Sequence, residues 1–349
     1  MSVPISPKVS VIIPTYNRRQ YLECALESVF AQTVPPDEII VVDDGSKDGT
    51  DELIRNLSSK KYPQLVYIWQ ENKGAGSARN QGIRAARNPI VAFLDSDDTW
   101  YPYHIKEALD CFSVFPEAGF VLAKYKIVDL QGTANKNYIV KKYKRRDFAK
   151  KIALRISGSN YLLDTDKCLH HILLSNIGFL TSTLVINRER CPRKVFFDEM
   201  LSIGEDVDFY LQLMAYNISL IYIDTIHSKY CFHTSNSITT AMDNSMNRLQ
   251  KAHLIIRQIE KKLVYCRSEM EYEAVFRELS RFYWAIADGL HEEGKYSEAN
   301  KWYRLSFKLE RRFATFKHCL AYRLCNKKYY GKLCRTVRCF KKKVCHLRK

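Results

Sequence analysis

Two apolar runs decide the fold class, VSVII at residues 9–13 and EIIVV at residues 38–42, and polar side chains follow each of them closely. Short continuous runs rich in β-branched residues are typical of strands buried on both faces of a sheet. Between the runs, apolar residues recur at helical spacing, and Asn17 is predicted to cap that helix. This order of strand, helix and strand predicts a parallel sheet covered by helices.

The same alternation continues to about residue 98, the pattern weakens between residues 121 and 178, and the chain becomes helical after about residue 243. Helices are predicted at 50–57 and 76–86, and strands at 65–69 and 90–94. The predicted fold class is α/β, with a mixed, mostly parallel sheet and helices on both faces. We predict a first domain over residues 1–243, with one half to about 120 and a second half over 121–243, and a helical extension over 244–349.

Charge is distributed unevenly along the 349 residues, which carry a formal net charge of +17. Residues 1–300 hold 38 Lys and Arg against 37 Asp and Glu, whereas residues 301–349 hold 17 Lys and Arg against one acid. A hydrophobic content of 46% is enough for a sizeable core and excludes wholesale disorder. No membrane-spanning or secretory segment is predicted, and eleven cysteines without a CxxC pair indicate reduced thiols in a cytoplasmic protein.

Polar groups follow three of the predicted strands. They are Thr15–Asn17, Asp43 with Asp44, and Asp95–Asp98. Because parallel strands end at the same edge of the sheet, where ligands bind in open α/β folds, three such groups favour a binding site over isolated turn residues. Clustered carboxylates suit Mn²⁺ or Mg²⁺ with a diphosphate, and the ring of Tyr16 offers a face for a base. The sequence predicts a nucleotide pocket.

Residues 72–82 read NKGAGSARNQG, which invites comparison with a dinucleotide-binding loop. That motif needs a glycine where Arg79 stands, and it belongs after the first strand of the sheet, whereas this segment follows the third. We interpret the segment as a loop that opens a helix, in which Gly76 allows close backbone approach and Arg79 faces phosphates or the Asp cluster.

Taken together, the motifs resemble glycosyltransferase family 2, a family of inverting, metal-dependent enzymes with the GT-A fold. The segments that carry the resemblance are VSVIIPTYNR (9–18), EIIVVDDGSKDGT (38–50), NKGAGSARNQG (72–82), AFLDSDD (92–98), GFLTSTLVINRE (178–189), FDEMLSIGEDVDFYLQL (197–213) and YCFHTSNSIT (230–239). Their order and spacing match the family over residues 9 to about 240, roughly two thirds of the chain.

The resemblance implies a role for each matching residue. Asp44, with Asp43 beside it, is expected to bind the base, Arg79 to lie near the diphosphate, and Asp95 and Asp97 to form the DXD pair. The residues expected to bind the donor are Pro14, Thr15, Tyr16, Asn17, Asp43, Asp44, Gly76, Arg79, Asp95, Ser96 and Asp97. The residues expected to hold Mn²⁺ or Mg²⁺ are Asp95, Asp97 and His233.

Two positions near these residues leave alternatives open. Asp98 could be an additional metal ligand or could cap the helix that begins near Tyr101, and capping is favoured. His233 could equally be a structural residue of its strand. Cys231 stands where relatives often have Arg, so the chain departs from the family pattern at this rim of the site.

The family's Glu-Asp pair aligns with Glu205 and Asp206. A carboxylate opposite the leaving group can accept the proton of the attacking hydroxyl in a single displacement, which inverts the anomeric centre. We assign Asp206 as the base and Glu205 as its catalytic neighbour. Acidic residues are also common in the first turn of any helix, and that explanation is preferred for Asp208.

The C-terminal region is predicted to contain a long helix over 249–264 and one helix-turn-helix unit of the tetratricopeptide type over 283–303. The basic tail, residues 301–349, interleaves cations with aromatic residues, which suits an anionic membrane surface, nucleic acid or a solvated end. The resemblance favours the membrane, because many acceptors of the family are lipid-linked. No nucleic-acid partner is expected, and the predicted location is the inner face of the cytoplasmic membrane.

The sequence therefore predicts an inverting transferase that moves sugar from a nucleoside-diphosphate sugar, with UDP favoured, to a hydroxyl of a glycan or lipid-linked glycan in cell-surface polysaccharide synthesis. The alternative is a non-catalytic binding protein with a degenerate transferase fold, against which the apparently intact set of carboxylates argues. A nucleotidyltransferase is disfavoured, because Pro14–Arg18 supply no glycine-rich phosphate loop.

Overall fold

The computed structural model of the chain describes residues 7–60, 62, 64–128, 145–175, 179–231 and 248–321. The chain forms two compact units. The first contains Met1–Leu169 and Ile177–Ala241, and the second contains His170–Asn176 and Met242–Lys349.

The predicted strands lie side by side in a single large sheet of the first unit. Within the described ranges its strands are β1 Val9–Thr15, β2 Glu38–Asp43, β3 Leu65–Trp69, β4 Ile90–Phe93, β5 Thr99–Trp100, β6 Ala118–Val128, β7 Ala153–Ser157, β8 Asn160–Leu163, β9 Val185–Asn187 and β10 Ser219–Cys231. Their order is β3-β2-β1-β4-β9-β6-β10-β8-β7, and β5 pairs with β10. β3, β2, β1 and β4 are mutually parallel, as are β6 and β10, while β9 runs antiparallel to both of its neighbours.

Helices connect and cover these strands. In the first unit they are α1 Arg19–Phe30, α2 Thr50–Lys60, α3 Ala75–Ala85, α4 His104–Val114, α5 Arg145–Ile152, α6 Thr165–Ser175, whose second half groups with the other unit, and α7 Glu205–Ala215. Every residue of β1, β2 and β4 is buried, as their unbroken apolar sequences predict. The mixed, mostly parallel sheet confirms the predicted fold class.

Strand β1 continues two residues beyond the predicted end. Pro14 pairs with Val42 and Thr15 pairs with Asp43 in parallel register. Pro14 has no backbone N–H to donate but keeps its carbonyl group. The carbonyl of the next residue, Thr15, accepts a hydrogen bond from the backbone N–H of Asp44 at 2.9 Å. The strand therefore carries Thr15 to the edge of the sheet as a buried residue.

The long strand β10 ties the segment after β4 to the rest of the sheet. It pairs in parallel with β6 and in antiparallel register with β5, in which Ser228 faces Trp100 and Lys229 faces Thr99. Its pairing with β6 is irregular between Ile223 and Ser228. A bulged strand bends locally, and here the irregularity lies immediately before the stretch that pairs with β5.

The second unit is helical over its described residues. It contains α8 Arg248–Lys262, α9 Glu269–Glu292 and α10 Tyr296–Ala321. Ser268 and Glu271 form a capping box at the start of α9, and Gly294 makes the turn to α10 with a left-handed φ of +75°. Ser280 and Ser306, both buried, bond to each other across the two helices at 2.9 Å. The predicted helix-turn-helix is thus present.

The basic tail, residues 301–349, begins inside a helix of the second unit. Residues 301–321 belong to α10, so the compositional boundary at 301 falls inside a helix that packs on α9. The remainder, residues 322–349, lies outside the described residues. No helix in the described part of the chain is long and apolar enough to cross a membrane.

Candidate active site

Asp43 is the last residue of strand β2 and Asp44 follows it, and both residues are buried. Asp43 accepts hydrogen bonds from the backbone N–H of Ser46 and from the hydroxyl of Tyr67, both at 2.7 Å. Burial and the Asp43 carboxylate raise the pKa of Tyr67 well above its ordinary value, so this hydroxyl keeps its proton. The predicted pair is therefore rigidly placed at the carboxyl edge of the sheet.

Asp44 anchors the loop that leads into α3. Its carboxylate accepts from the side chain of Gln70 at 2.7 Å and from the backbone N–H groups of Lys73 and Gly74 at 2.9 and 2.8 Å. The left-handed φ of +91° in this loop belongs to Gly74. Gly76 lies in the first turn of α3, where an added Cβ would meet Glu205 Cγ at 3.5 Å. The start of α3 thus lies close to the start of α7.

Asn17 does not cap α1 as predicted. The residue that precedes the helix is Arg18, which provides no side-chain cap, and Asn17 has a left-handed φ of +50°. Its side-chain oxygen instead accepts from the backbone of Lys47 at 2.8 Å, while its own N–H donates to Ser46 Oγ at 2.8 Å. These two bonds join the loop after β1 to the loop after β2, which is why the helix cap was the wrong prediction.

Two further residues of the first polar group differ in exposure. Thr15 is 3% exposed, and its hydroxyl oxygen has no hydrogen-bond partner among the described residues. Tyr16 is 48% exposed, so its ring faces solvent at the rim of the site. A buried hydroxyl without a partner and an exposed ring beside it are groups that a bound ligand could engage.

The turn after β4 contains Asp95–Asp98, and its innermost carboxylate is structural. Asp98 is 1% exposed, accepts from the hydroxyl of Ser182 and accepts from the backbone N–H of Cys231 at 3.1 Å. Helix α4 begins only at His104, and no side chain caps it. The prediction that Asp98 caps this helix is wrong, because the carboxylate points inward to the 3₁₀ helix at Thr181–Thr183 and to β10.

Ser182 holds the turn from a second direction. The side-chain oxygen Oγ of Ser182 accepts a hydrogen bond from the backbone N–H of Asp95 at 3.1 Å. The backbone carbonyl of Ser182 accepts one from the indole N–H of Trp100. Burial and the neighbouring carboxylates of Asp97 and Asp95 raise the pKa of Asp98 well above its ordinary value. Ser96 is buried within the same turn.

Arginine side chains pair with both members of the predicted DXD motif. Arg79 Nη2 lies 2.7 Å from Asp95 Oδ1, and Arg18 forms a close ion pair with Asp97. Arg79 is 5% exposed and also donates to Glu205 Oε1 at 2.9 Å, with its guanidinium 5.2 Å from the ring centre of Phe197. Its two carboxylate partners raise the pKa of Arg79, so the buried side chain stays charged.

Asp206 follows Glu205 in the first turn of α7. Gly204 precedes the helix in the left-handed conformation, with a φ of +76°. Asp206 Oδ1 accepts from the backbone N–H of Val207 at 2.7 Å. Burial and the adjacent charge of Glu205 raise the pKa of Asp206 to about 7, which leaves a carboxylate that can take up a proton near neutral pH.

Asp208 is in the same first turn and is accounted for by structure. It is buried, and its carboxylate accepts from the side chain of Gln212, one turn later, at 2.8 Å. This placement agrees with the preference for a structural explanation of this residue.

The geometry brings three predicted groups together through Arg79. Asp44, after β2, bonds the loop that leads from β3 into α3. Helix α3 carries Arg79, which contacts both the turn after β4 and the start of α7. Sequence reasoning assigned no role to Arg18, Tyr67 or Ser182. Arg18 and Ser182 lay inside motifs that were recognised, but only the folded chain shows that they contact Asp97 and Asp98.

The donor set for a divalent cation can be judged from these contacts. In the part of the chain that the structure describes, no group of three or more His, Cys, Asp and Glu side chains is arranged to hold a metal ion. His233 lies outside the described residues. Asp95 and Asp97 remain as two carboxylates in one turn, and Mg²⁺ is commonly held by one or two carboxylates together with substrate phosphates. The residues present fit such an ion.

Comparison with known proteins gives consistent matches. Residues 10–167 match the model of the family described as glycosyl transferase family 2. A glycosyltransferase of Rickettsia prowazekii (strain Madrid E), RP339, described as uncharacterized, is 30% identical over 240 residues, which is 68% of this chain and 68% of that protein. TuaG of Bacillus subtilis (strain 168), whose name assigns it to teichuronic acid biosynthesis, is 37% identical over 133 residues. That match covers 38% of this chain and about half of TuaG, 52%.

Solved structures also match over most of the chain. One of them is S. aureus TarS 1–349 in complex with UDP-GlcNAc, with a TM-score of 0.50 and 19% sequence identity, covering 87% of this chain and 92% of that chain. At this level of identity the likeness concerns the fold.

Proposed function

The chain belongs to glycosyltransferase family 2, a family of enzymes, and we propose that it transfers a sugar from a UDP-sugar to a hydroxyl group of a glycan. The observation that carries the proposal is the buried guanidinium of Arg79, which joins Asp95 to Glu205. It brings the carboxylates expected at the diphosphate next to the helix that carries the expected base, Asp206. A donor placed there has its leaving group on one side and the base on the other.

The donor site is the carboxyl edge of β1, β2 and β4. Thr15 and Asp44 supply polar atoms at the end of β1 and β2, and Tyr16 supplies an exposed ring for the base. Bound UDP-GlcNAc in the TarS structure supports the choice of a UDP-sugar, because the fold is shared. Arg79 and Arg18 then lie where positive charge would face the diphosphate.

Asp95 and Asp97 are the residues that would hold Mn²⁺ or Mg²⁺. When bound, the cation offsets the negative charge that develops on the departing diphosphate. Arg79 and Arg18 already pair with these carboxylates, so the two arginines keep them oriented and partly neutralised before the donor arrives.

Asp206 acts as the base in a single displacement. Its position in the first turn of α7 and its raised pKa allow the carboxylate to accept the proton of the attacking hydroxyl. Attack on the face opposite the leaving diphosphate inverts the configuration at the anomeric carbon. Glu205 bonds to Arg79 and thereby keeps the start of α7 next to the donor site.

The acceptor is a glycan or lipid-linked glycan of cell-surface polysaccharide synthesis. The name of TuaG supports this class of product, since it assigns that relative to teichuronic acid biosynthesis. The basic tail supports a location on the inner face of the cytoplasmic membrane, where an anionic lipid surface attracts each cation by about 1 kcal/mol.

The test of the reaction uses the full-length protein and a set of sugar nucleotides with Mn²⁺. We expect one UDP-sugar to raise the melting temperature in a Mn²⁺-dependent manner and to be consumed with release of UDP. Asp97→Asn should lose the Mn²⁺-dependent shift. Asp206→Asn should keep it and lose turnover by about 10²- to 10⁴-fold, the contribution of general base catalysis.

A matched control is Asp110→Asn, a half-exposed carboxylate on α4 that pairs with Lys106. It should leave both binding and turnover unchanged. If no sugar nucleotide binds, the enzyme proposal is wrong. If a sugar nucleotide binds but turnover is absent, or is unaffected by Asp206→Asn, a non-catalytic protein or another base is indicated.

The membrane proposal needs its own variant, and α10 determines where the chain can be cut. A truncation at 300 would remove Ser306, whose hydroxyl bonds to that of Ser280 on α9 in the interior of the second unit. Truncation after Ala321 removes eleven Lys and Arg and no acidic residue while leaving the helix whole. We expect this variant to bind UDP normally and to lose binding to anionic vesicles, and retained vesicle binding would refute the proposal for residues 322–349.

A further inference from the structure

A cavity of about 730 Å³ lies in the first unit, on the edge of the sheet opposite the candidate active site. Asn88 and Pro89, which precede β4, contribute to its lining, and so do Arg188 and Glu189, which follow the antiparallel β9. Asp95 follows β4 at its other end. The cavity is therefore separate from the donor site, and the length of the strand lies between them.

The floor of the cavity is apolar. Helix α3, strand β9, the segment after β9 and helix α7 contribute buried side chains, namely Ile83, Ala86, Ile186, Val195, Phe209 and Leu213. Volumes of this size are typical of sites for small organic ligands, and an apolar floor of this kind receives a hydrocarbon group. A fully hydrated inorganic ion gains nothing from such a surface.

The rim of the cavity is cationic, but its four arginines differ in how they are paired. Arg84 lies 3.5 Å from a carboxylate oxygen of Glu199, and Arg87 Nε lies 2.7 Å from Glu38 Oε1. These two are compensated.

The other two arginines on the rim are Arg188 and Arg193. Arg188 donates to the carbonyl of Ala86 at the end of α3, which fixes its side chain at the rim. Among the described residues, no carboxylate forms an ion pair with Arg188 or Arg193. One further acid, Glu189, is on the rim. Within the described part of the chain, two guanidiniums therefore lie over an apolar floor without a carboxylate partner. Guanidinium groups favour bidentate contacts with phosphate or carboxylate.

We propose that this cavity binds an anionic amphiphile, a phosphate monoester carried on an apolar chain. The chain would occupy the floor, and the phosphate would lie between Arg188 and Arg193 at the rim. The basic tail of the protein has the wrong charge to be the occupant, since it carries 17 Lys and Arg and one acid. The volume is too small for a folded partner. The site is independent of the proposed reaction, because it shares no residue with the donor site.

The test is calorimetric titration of the full-length protein with octyl phosphate, below its micellar concentration and with saturating UDP present. Octyl glucoside has the same chain with a neutral head, and inorganic phosphate has the same charge without a chain. We expect octyl phosphate to bind with a 1:1 stoichiometry and at least tenfold more tightly than either control. Equal affinity for octyl phosphate and inorganic phosphate, or for octyl phosphate and octyl glucoside, would overturn the proposal.

Variants of the rim locate the binding. Arg188→Gln with Arg193→Gln should weaken octyl phosphate binding at least tenfold, and the single Arg193→Gln, which leaves the bond to Ala86 intact, should weaken it in the same direction. The control is Arg55→Gln, a 77% exposed arginine on α2, which should have no effect. Unchanged binding in the rim variants would refute the proposal.

The basic tail could also attract an anionic amphiphile, so the position at which the ligand binds must be identified by labelling. An octyl phosphate analogue with a photoreactive diazirine at the end of its chain should label the cavity floor, in peptides that contain residues 186–196 or 205–215. Labelling should fall in the rim variants. Labelling confined to residues 301–349 would show that the tail is the binding site and would overturn the inference.

Discussion

Arg79 Nη1 donates to Glu205 Oε1 at 2.9 Å, across 126 residues of sequence. The same guanidinium donates to Asp95 at 2.7 Å. This buried cation joins the turn after β4 to the start of α7, so removing it leaves two carboxylates without their partner. We expect Arg79→Met to lower the free energy of unfolding by about 3 kcal/mol, as measured by urea denaturation at pH 7.5 without metal.

The control for Arg79 is Arg55→Met, whose side chain is 77% exposed and pairs with Asp51 on the same helix. Exposed pairs contribute about 0–1 kcal/mol, so a loss below about 0.5 kcal/mol is expected. Adding Glu205→Gln to Arg79→Met should recover part of the stability, because one of the two uncompensated charges is then gone. Equal losses in Arg79→Met and Arg55→Met would show that the pairing is not important for stability.

Asp206 should make the folded protein less stable as pH rises. Its pKa is about 7 when folded and 3.8 when unfolded, so between about pH 4 and pH 7 the folded state holds a proton that the unfolded state has lost. Stability contributed by that proton disappears across this window and stays lost above pH 7. In metal-free protein, Asp206→Asn should therefore be more stable than the parent at pH 8. We expect a difference of about 2 kcal/mol, which is less than the full pKa shift corresponds to, because the half-buried carboxylate keeps part of its solvation.

The free energies of unfolding of the parent and of Asp206→Asn should converge near pH 4, where Asp206 is protonated in the folded parent. Chemical denaturation at several pH values in the presence of EDTA measures both limits. A stability difference that does not change between pH 4 and pH 8 would contradict the raised pKa and would remove one support for Asp206 as the base.

Ser182 should position the DXD turn. It donates to Asp98 and accepts the backbone N–H of Asp95, so Ser182→Ala leaves a buried carboxylate short of one donor. We expect a loss of about 1–3 kcal/mol in stability. If Ser182 acts through Asp95 and Asp97, the variant should also require a higher Mn²⁺ concentration for half-maximal donor binding.

Ser113→Ala provides a matched substitution on the solvent side of α4, where the hydroxyl donates to the carbonyl of Leu109 on the same helix. It should change neither stability nor Mn²⁺ dependence appreciably. Loss of stability in Ser182→Ala with an unaltered Mn²⁺ requirement would leave Ser182 with a role in folding alone.

His104 should make the protein sensitive to acid. Its Nδ1 lies 3.0 Å from Nδ1 of His227, whose Nε2 lies 2.9 Å from Glu107 and 3.0 Å from Thr225. Because the carboxylate of Glu107 accepts, we assign the proton of His227 to Nε2. His104 then donates from Nδ1, and its Nε2 is a buried atom with no hydrogen-bond partner among the described residues. Protonation there would bury a charge without an acceptor, and burial accordingly lowers the pKa of His104 well below 6.5.

A group whose folded pKa is depressed below 6.5 favours the unfolded state as pH falls, because only the unfolded state takes up the proton. Stability should decline from about pH 6.5 downward. His104→Phe removes this proton uptake, so its stability should fall less steeply between pH 6.5 and pH 5, whatever its offset at neutral pH. Thermal unfolding in that pH range measures how steeply the stability of each protein falls with pH. Parallel curves for the parent and His104→Phe would exclude His104 as the source of the acid sensitivity.

The sequence by itself determined the strand-helix alternation, the polar groups at the ends of β1, β2 and β4, and the family. These features are local or depend on motif order, since a buried strand needs an unbroken apolar run and a parallel sheet brings strand ends to one edge. Asp43, Asp44 and Asp95 could therefore be placed at one edge before the fold was known. Tertiary structure decided which atoms the placed side chains contact.

Asn17 and Asp98 show why those contacts were beyond the sequence. Both are residue types that favour helix caps, and both instead bond to segments distant in the chain, Lys47 for Asn17 and Ser182 with Cys231 for Asp98. A propensity describes competition among local backbone partners. It carries no information on a donor that folding brings from 30, 84 or 133 residues away. That is the physical reason why the site's framework, from Arg79 to Ser182, became visible only in three dimensions.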